Sequence, residues 1–174
     1  REDKAGGLLM YGIPNMKLDK KVIDRRIELM KAEGVEFVFN ADVGNNTAAY
    51  PILNTHHAIA LCCGAKKARP LSAAGVDKLA KGGDGAEGGV MLAVDFLKRV
   101  TKCVVQRPGA STKQLEKELA SEYGINVADK HVIVLGGGDT GNDCTGSVIR
   151  LGCKSVTQIE MMPCPPTERA ANNP

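Results

Sequence analysis

Gly136, Gly138 and Gly141 stand at the spacing G-x-G-x-x-G in the stretch VIVLGGGDTGNDC, with Gly137 between the first two. That spacing suits the close approach of a backbone to a pyrophosphate. The first glycine lets the chain turn sharply out of a strand. The second leaves no side chain between backbone and phosphate, and the third lets a helix pack close to the sheet. Asp139 and Thr140 complete the loop and open a helix, whose unpaired N–H groups and partial positive charge attract an anion. Asp139 reads either as part of the phosphate loop or as the helix cap, and the two roles are compatible. An acid is expected about 20 residues later, at the end of the next strand, to hold a ribose hydroxyl. Glu160 stands there. The glycine spacing also occurs in turns that bind nothing, so the elements around it have to decide.

Those elements fit. Val132 to Leu135 is a short apolar run, expected to form a strand buried on both faces. Asp139 to Leu151 reads as a helix with Cys144, Val148, Ile149 and Leu151 on its apolar side, and Gly152 stops it. Ser155 to Ile159 reads as the second strand. Strand, glycine turn, helix and strand is the order a dinucleotide-binding unit needs.

Upstream, LLMYGIP follows a turn at Gly6 and Gly7 and is closed by Pro14. Asp19 is placed to cap a helix from Lys20 to Glu33, with Ile23, Ile27 and Met30 on one side and Gly34 as its left-handed stop. VEFVF (35–39) and AIALCCGA (58–65) read as buried strands, and 47–57 as a surface loop or short helix. VMLAVDFLKRV is helical in pattern. A further helix begins near Thr112, with Ser111 and Gln114 at the positions of a capping box and Gly124 as its end. The composition shifts at Lys66 to Gly89, and a boundary is expected near Ala68 to Gly75. The resulting fold class is α/β, with two Rossmann-like nucleotide-binding units in tandem.

Hydrophobic residues make up 43% of the 174 and charged residues 25%, which allows a packed core and argues against disorder. The net charge of +3, with acids and bases interleaved, gives no footprint for nucleic acid. No apolar run approaches the ~18 residues needed to cross a membrane. Six cysteines without a C-x-x-C pair, and three histidines, spell out neither a zinc nor an iron–sulfur site. They are expected as reduced, mostly buried thiols in a reducing compartment, the cytoplasm or the interior of a plastid or another organelle. The chain begins at REDKAGG and ends at ANNP, and is expected to be a piece of something larger.

The segments GGLLMYGIPNMKLDKKVIDRR, MKAEGVEFVFNADVG, ALCCGAKKARPL, VIVLGGGDTGNDC and SVTQIEMMPCPPTERAANNP, in this order, resemble the glutamate synthase small (beta) subunit. They equally resemble the matching C-terminal region of the fused enzyme. The chain departs from the family in RPLSAAG, where a proline–glycine usually follows the leucine, and in the glycine-rich stretch at 82–89. The resemblance implies a flavoprotein in which NAD(P)H passes a hydride to FAD. Electrons then move through iron–sulfur centres to FMN in the large-subunit region, where glutamine and 2-oxoglutarate become glutamate. It further implies that residues 1–70 are the middle of an FAD-binding domain and 71–174 the first part of an inserted NAD(P)H-binding domain. The first FAD glycine motif and the iron–sulfur cysteines would lie upstream, and the last FAD segment downstream. Such a fragment is expected to be inactive by itself.

The resemblance also assigns residues. Gly7 and Leu8 match a segment passing near the flavin, against an ordinary turn. Lys17 matches a basic residue near the flavin, against a solvated surface charge. Val43 matches a backbone contact to the adenine of FAD. Cys63 and Gly64 match a second FAD contact at the end of a buried strand; a Cys62–Cys63 disulfide would demand backbone strain. Arg169 either reaches a nucleotide phosphate or is a surface charge. Glu160 favours NADH over NADPH, because a 2′-phosphate would meet a like charge there. A flavoprotein of dihydropyrimidine dehydrogenase type and a dinucleotide-binding module without turnover are the alternatives.

Overall fold

The structure, a computed structural model, describes residues 2–65, 67–68, 71–74, 89–164 and 166–168. Helix α1 (Leu8–Tyr11) is four residues long and starts from Gly7. Its open carbonyl end is closed from outside, because Lys20 Nζ donates to the carbonyls of Leu9 (2.8 Å) and Ile13. Burial of that ammonium pushes the Lys20 pKa down. Asp19 caps helix α2 (Lys20–Ala32), its carboxylate accepting from the Lys21 N–H at 3.0 Å. Gly34 takes the left-handed conformation at φ 95° just beyond the helix, and the Val35 N–H donates back to the Met30 carbonyl. Met10, Tyr11 and Ile23 form a small core, flanked by Leu18 and Ile27. Helix α3 (Ala49–Thr55) occupies the segment expected as a loop or short helix and buries none of its side chains.

Neither upstream strand forms. Residues 35–39 and 58–65 have no ladder partner among the described residues, and Val38 is 78% and Leu61 85% exposed. A strand is stable only when its N–H and C=O groups pair with a neighbour, and an apolar run supplies no neighbour by itself. Phe37 and Phe39 instead stack on each other, with ring centroids 6.3 Å apart. The first expected Rossmann-like unit therefore has no sheet among the described residues. The join expected at Ala68 to Gly75 falls partly outside them.

The downstream half is built as the sequence suggests. Helix α4 (Ala93–Gln106) starts later than its apolar pattern and runs further. Phe96, Leu97, Val100 and Cys103 continue one buried face at helical spacing. Helix α5 (Thr112–Tyr123) carries a complete capping box. The Gln114 N–H donates to Ser111 Oγ, the Ser111 N–H donates to Gln114 Oε1, and Gly124 ends the helix at φ 64°. Strand β1 (His131–Leu135), helix α6 (Asp139–Arg150) and strand β2 (Ser155–Ile159) follow. β1 and β2 pair in parallel, His131 opposite Ser155 through Leu135 opposite Ile159, with α6 as the crossover.

The main core joins α4, α5, α6 and β1 through Phe96, Leu97, Val100, Cys103, Leu119, Ile125, Val134, Cys144, Val148 and Leu151. Each of the larger side chains stabilises the fold by about 1.5–3 kcal/mol on burial. Two expectations need correcting here. Ile149 faces solvent, because it lies about 100° around the helix from Val148. β1 is covered on one face, since Val134 is buried while Ile133 is 64% exposed and no described element lies over the other side. The fold is thus mixed α/β with a small parallel sheet. Helix α1 lies against α4, where Lys98 and Lys102 bind Glu2, Lys102 also binds Asp3, and the Tyr11 hydroxyl donates to Asp3 at 3.0 Å.

Candidate functional site

The glycine loop begins where β1 ends. The Gly136 N–H donates to the Ile159 carbonyl at 2.8 Å, which extends the parallel pairing by one step. Gly136 then turns at φ 109°, a conformation that L side chains rarely adopt. Its carbonyl is enclosed from two sides. Gln158 Nε2 donates to it at 2.8 Å, and a Cβ placed on Gly141 would collide with the same oxygen. The helix approaches the strand end this closely because residue 141 has no side chain.

Gly138, not Asp139, is the N-cap of α6, with extended backbone and no side chain capping the helix. A Cβ built on Gly138 meets nothing within 4 Å among the described residues, which leave this face of the loop open. Asp139 is the first helical residue, its side chain 93% exposed, and Thr140 beside it is exposed. With no side-chain cap at Gly138, the first turn presents the positive end of the helix dipole.

Glu160 crosses the edge of the loop. Its Oε1 accepts from the Met162 N–H at 2.9 Å and its Oε2 from the Gly137 N–H. These two backbone donors hold its carboxyl below the usual carboxylate range, Met162 contributing most. The group is an anion at neutral pH with its oxygens fixed beside the glycine loop. It can accept hydrogen bonds from a vicinal diol, and it repels a further phosphate at the same point.

Lys17 lies at this loop too. Its Nζ is 3.3 Å from Asp143 Oδ1 and 3.6 Å from Asp139 Oδ1, on the first turns of α6. The two acids pull its pKa up, Asp143 most strongly. Met16 packs beside it, where a Cβ on Gly146 would meet Met16 Cε at 2.6 Å. Sequence reasoning missed Asp143, Gln158 and this docking of residues 16 and 17 on α6. One signal was available: glycine inside a helix costs about 1 kcal/mol relative to alanine, so Gly146 called for a packing partner.

The other residues expected at a flavin are not aligned by a sheet. Gly7 (φ 53°) and Leu8, which is exposed, sit at the start of α1. Val43 forms an isolated bridge with Thr47. Cys63 and Gly64 lie in exposed backbone outside any strand, so the expected buried strand end is not there. Cys62 and Cys63 form no disulfide. Cys62, Cys63 and Cys164 are exposed and Cys103 and Cys144 buried, so the thiols are not mostly buried as expected. Burial pushes the Cys144 thiol up to about 11. Arg169 lies outside the described residues. Among the described residues no group of three or more His, Cys, Asp or Glu side chains could hold a metal ion, and no helix is long and apolar enough to cross a membrane.

Known proteins resemble this chain along most or all of its length. The chain is 42% identical over 176 residues to the glutamate synthase (NADH) of Schizosaccharomyces pombe, covering 100% of this chain and 7% of that protein. It is 39% identical over 173 residues to the glutamate synthase (NADPH) small chain of Bacillus subtilis, covering 99% of this chain and 31% of that protein. The small chain of Azospirillum brasilense is 36% identical over 156 residues. The chain is homologous to one region of the glutamate synthases. It spans about a third of the length of the small chains and less than a tenth of the fused yeast protein. No family model matches it. Relatives named for NADH and relatives named for NADPH are both among them.

Proposed function

We propose that residues 136–141 hold the pyrophosphate of NAD(P)H, and that the chain belongs to a glutamate synthase-type oxidoreductase. The observation that carries this reading is the assembled strand, loop and helix with Glu160 fixed across its edge. Gly136, Gly137, Gly138, Asp139, Thr140 and Gly141 form the cradle, with the open backbone at Gly138 facing the phosphates. Glu160 accepts from the ribose hydroxyls, which favours NADH. Bound there, the dinucleotide supplies a hydride, and this chain's part is to orient it. Arg169 is a second candidate for a phosphate.

In this reading residues 1–70 belong to an FAD-binding domain and 71–174 to an NAD(P)H-binding domain. Gly7, Leu8, Val43, Cys63 and Gly64 face a flavin once the surrounding sheet is complete. The likeness to the glutamate synthases supports FAD as hydride acceptor, iron–sulfur centres outside this chain, and a large-subunit region that makes glutamate from glutamine and 2-oxoglutarate. The described residues do not by themselves form a cradle for the flavin.

Gly138→Ala is the test. The methyl group has room in the fold, yet it stands where a pyrophosphate must approach. In the whole protein the variant should melt like the native one and bind NADH at least about tenfold more weakly. Flavin bleaching on anaerobic addition of NADH reports turnover, and separates an oxidoreductase from a module that only binds. Unchanged NADH affinity in Gly138→Ala would remove the loop from the site.

A further inference from the structure

The start of α6 presents an electrostatic conflict. An anion is favoured at a helix N-terminus by the dipole and free N–H groups. Yet Asp139 stands at the first position and Asp143 one turn below, and two carboxylates there oppose a pyrophosphate. Asp143 is buried, its side chain 10% exposed, in the helix face that Met16 and Lys17 cover. A buried carboxylate needs a partner, and Lys17 supplies it from a different segment of the chain, 126 positions away.

We propose that Lys17 is a charge-balancing residue of the dinucleotide site, offsetting Asp143 and Asp139 so that the N-terminus of α6 stays attractive to a pyrophosphate. This rests on the reading of residues 136–141 as a dinucleotide loop and deepens it. Lys17 acts through the two acids: its Nζ is held by them, and its charge lowers the negative potential that the phosphates meet. The docking of Met16 against Gly146 fixes the segment that carries it. The segment around Lys17, which the family resemblance places on the flavin side, thereby becomes a determinant of affinity at the other nucleotide.

Calorimetric titration of the whole protein with ADP-ribose, which carries the pyrophosphate, and with adenosine, which does not, tests the proposal. Lys17→Gln should weaken ADP-ribose binding about three- to fivefold at low ionic strength and leave adenosine binding unchanged. Lys17→Arg should bind both like the native protein. The double variant Lys17→Gln with Asp143→Asn should recover most of the lost affinity, since one of the offset acids is gone. A lysine that touched the phosphate itself would not be rescued in this way. Native ADP-ribose affinity in Lys17→Gln, an equal loss for adenosine, or no recovery in the double variant would each overturn the proposal. Absence of ADP-ribose binding by the native protein would instead overturn the dinucleotide reading beneath it. Should Lys17→Gln fail to fold, the double variant, which leaves no buried charge unpaired, carries the comparison together with Asp143→Asn, which should bind ADP-ribose more tightly than the native protein.

Discussion

A methyl group at position 141 has nowhere to go, because the Gly136 carbonyl and the Gln158 amide already occupy its place. Gly141→Ala should therefore lower stability by about 1–3 kcal/mol, read as a shift of the thermal midpoint, in contrast to the silent Gly138→Ala. Glu160 gives a pH-dependent prediction. Its carboxyl is held below its unfolded-state value by the Met162 and Gly137 N–H groups. The stabilisation is thus fully present above an unfolded carboxyl pKa of about 4.3 and is lost as the pH falls through the lower folded-state value. The difference in midpoint between native protein and Glu160→Gln should be constant near neutrality and shrink toward about pH 3. A difference that persisted in acid would mean the carboxylate does not bond the loop. In the whole protein Glu160→Ala should raise the Michaelis constant for NADH by about tenfold and relax discrimination against NADPH, checked by initial rates with both nucleotides.

Among the elements, α5 is the most completely specified locally. Ser111 and Gln114 satisfy each other's backbone donors, and Arg107, at the end of α4, pairs with Glu118 and Glu122 of α5. Ser111→Ala should cost about 1 kcal/mol, and Leu119→Ala, which empties a fully buried site in the main core, about 2–5 kcal/mol. Chemical denaturation of both variants checks the ranking. An inverted order would show that α5 is held by its caps rather than by packing. Helix α1 is the opposite case. It is too short to be stable alone, and Lys20 from the next helix closes its carbonyl end.

Across the whole molecule the two halves differ in how their polar backbone is satisfied. β1, β2, α4, α5 and α6 share one core, whereas residues 35–39 and 58–65 lack ladder partners among the described residues. Hydrogen exchange of the 174-residue chain should accordingly be slow in β1, β2 and the buried faces of α4 to α6, and fast at 36–39 and 58–62. By the same reasoning this chain by itself should retain little FAD, since a flavin needs backbone that is already ordered. Flavin absorbance after gel filtration measures it, and stoichiometric retention would show that the flavin segments are organised without a sheet.

The sequence by itself determined the local features. The caps at Asp19 and Ser111, the stops at Gly34 and Gly124, the strands on either side of α6 and the glycine turn all follow from rules that act within a few residues. Glu160 was legible for the same reason, being placed by the end of β2. Whether VEFVF and AIALCCGA become strands was not, because a strand's hydrogen bonds belong to its neighbour and not to its own residues. The burial of Val148 beside exposed Ile149 likewise depended on which face met the core. The meeting of Lys17 with Asp139 and Asp143 was decided by tertiary structure alone. No local rule links residues so far apart in the chain, and the packing of Met16 on Gly146 holds the lysine against the helix that opens the glycine loop.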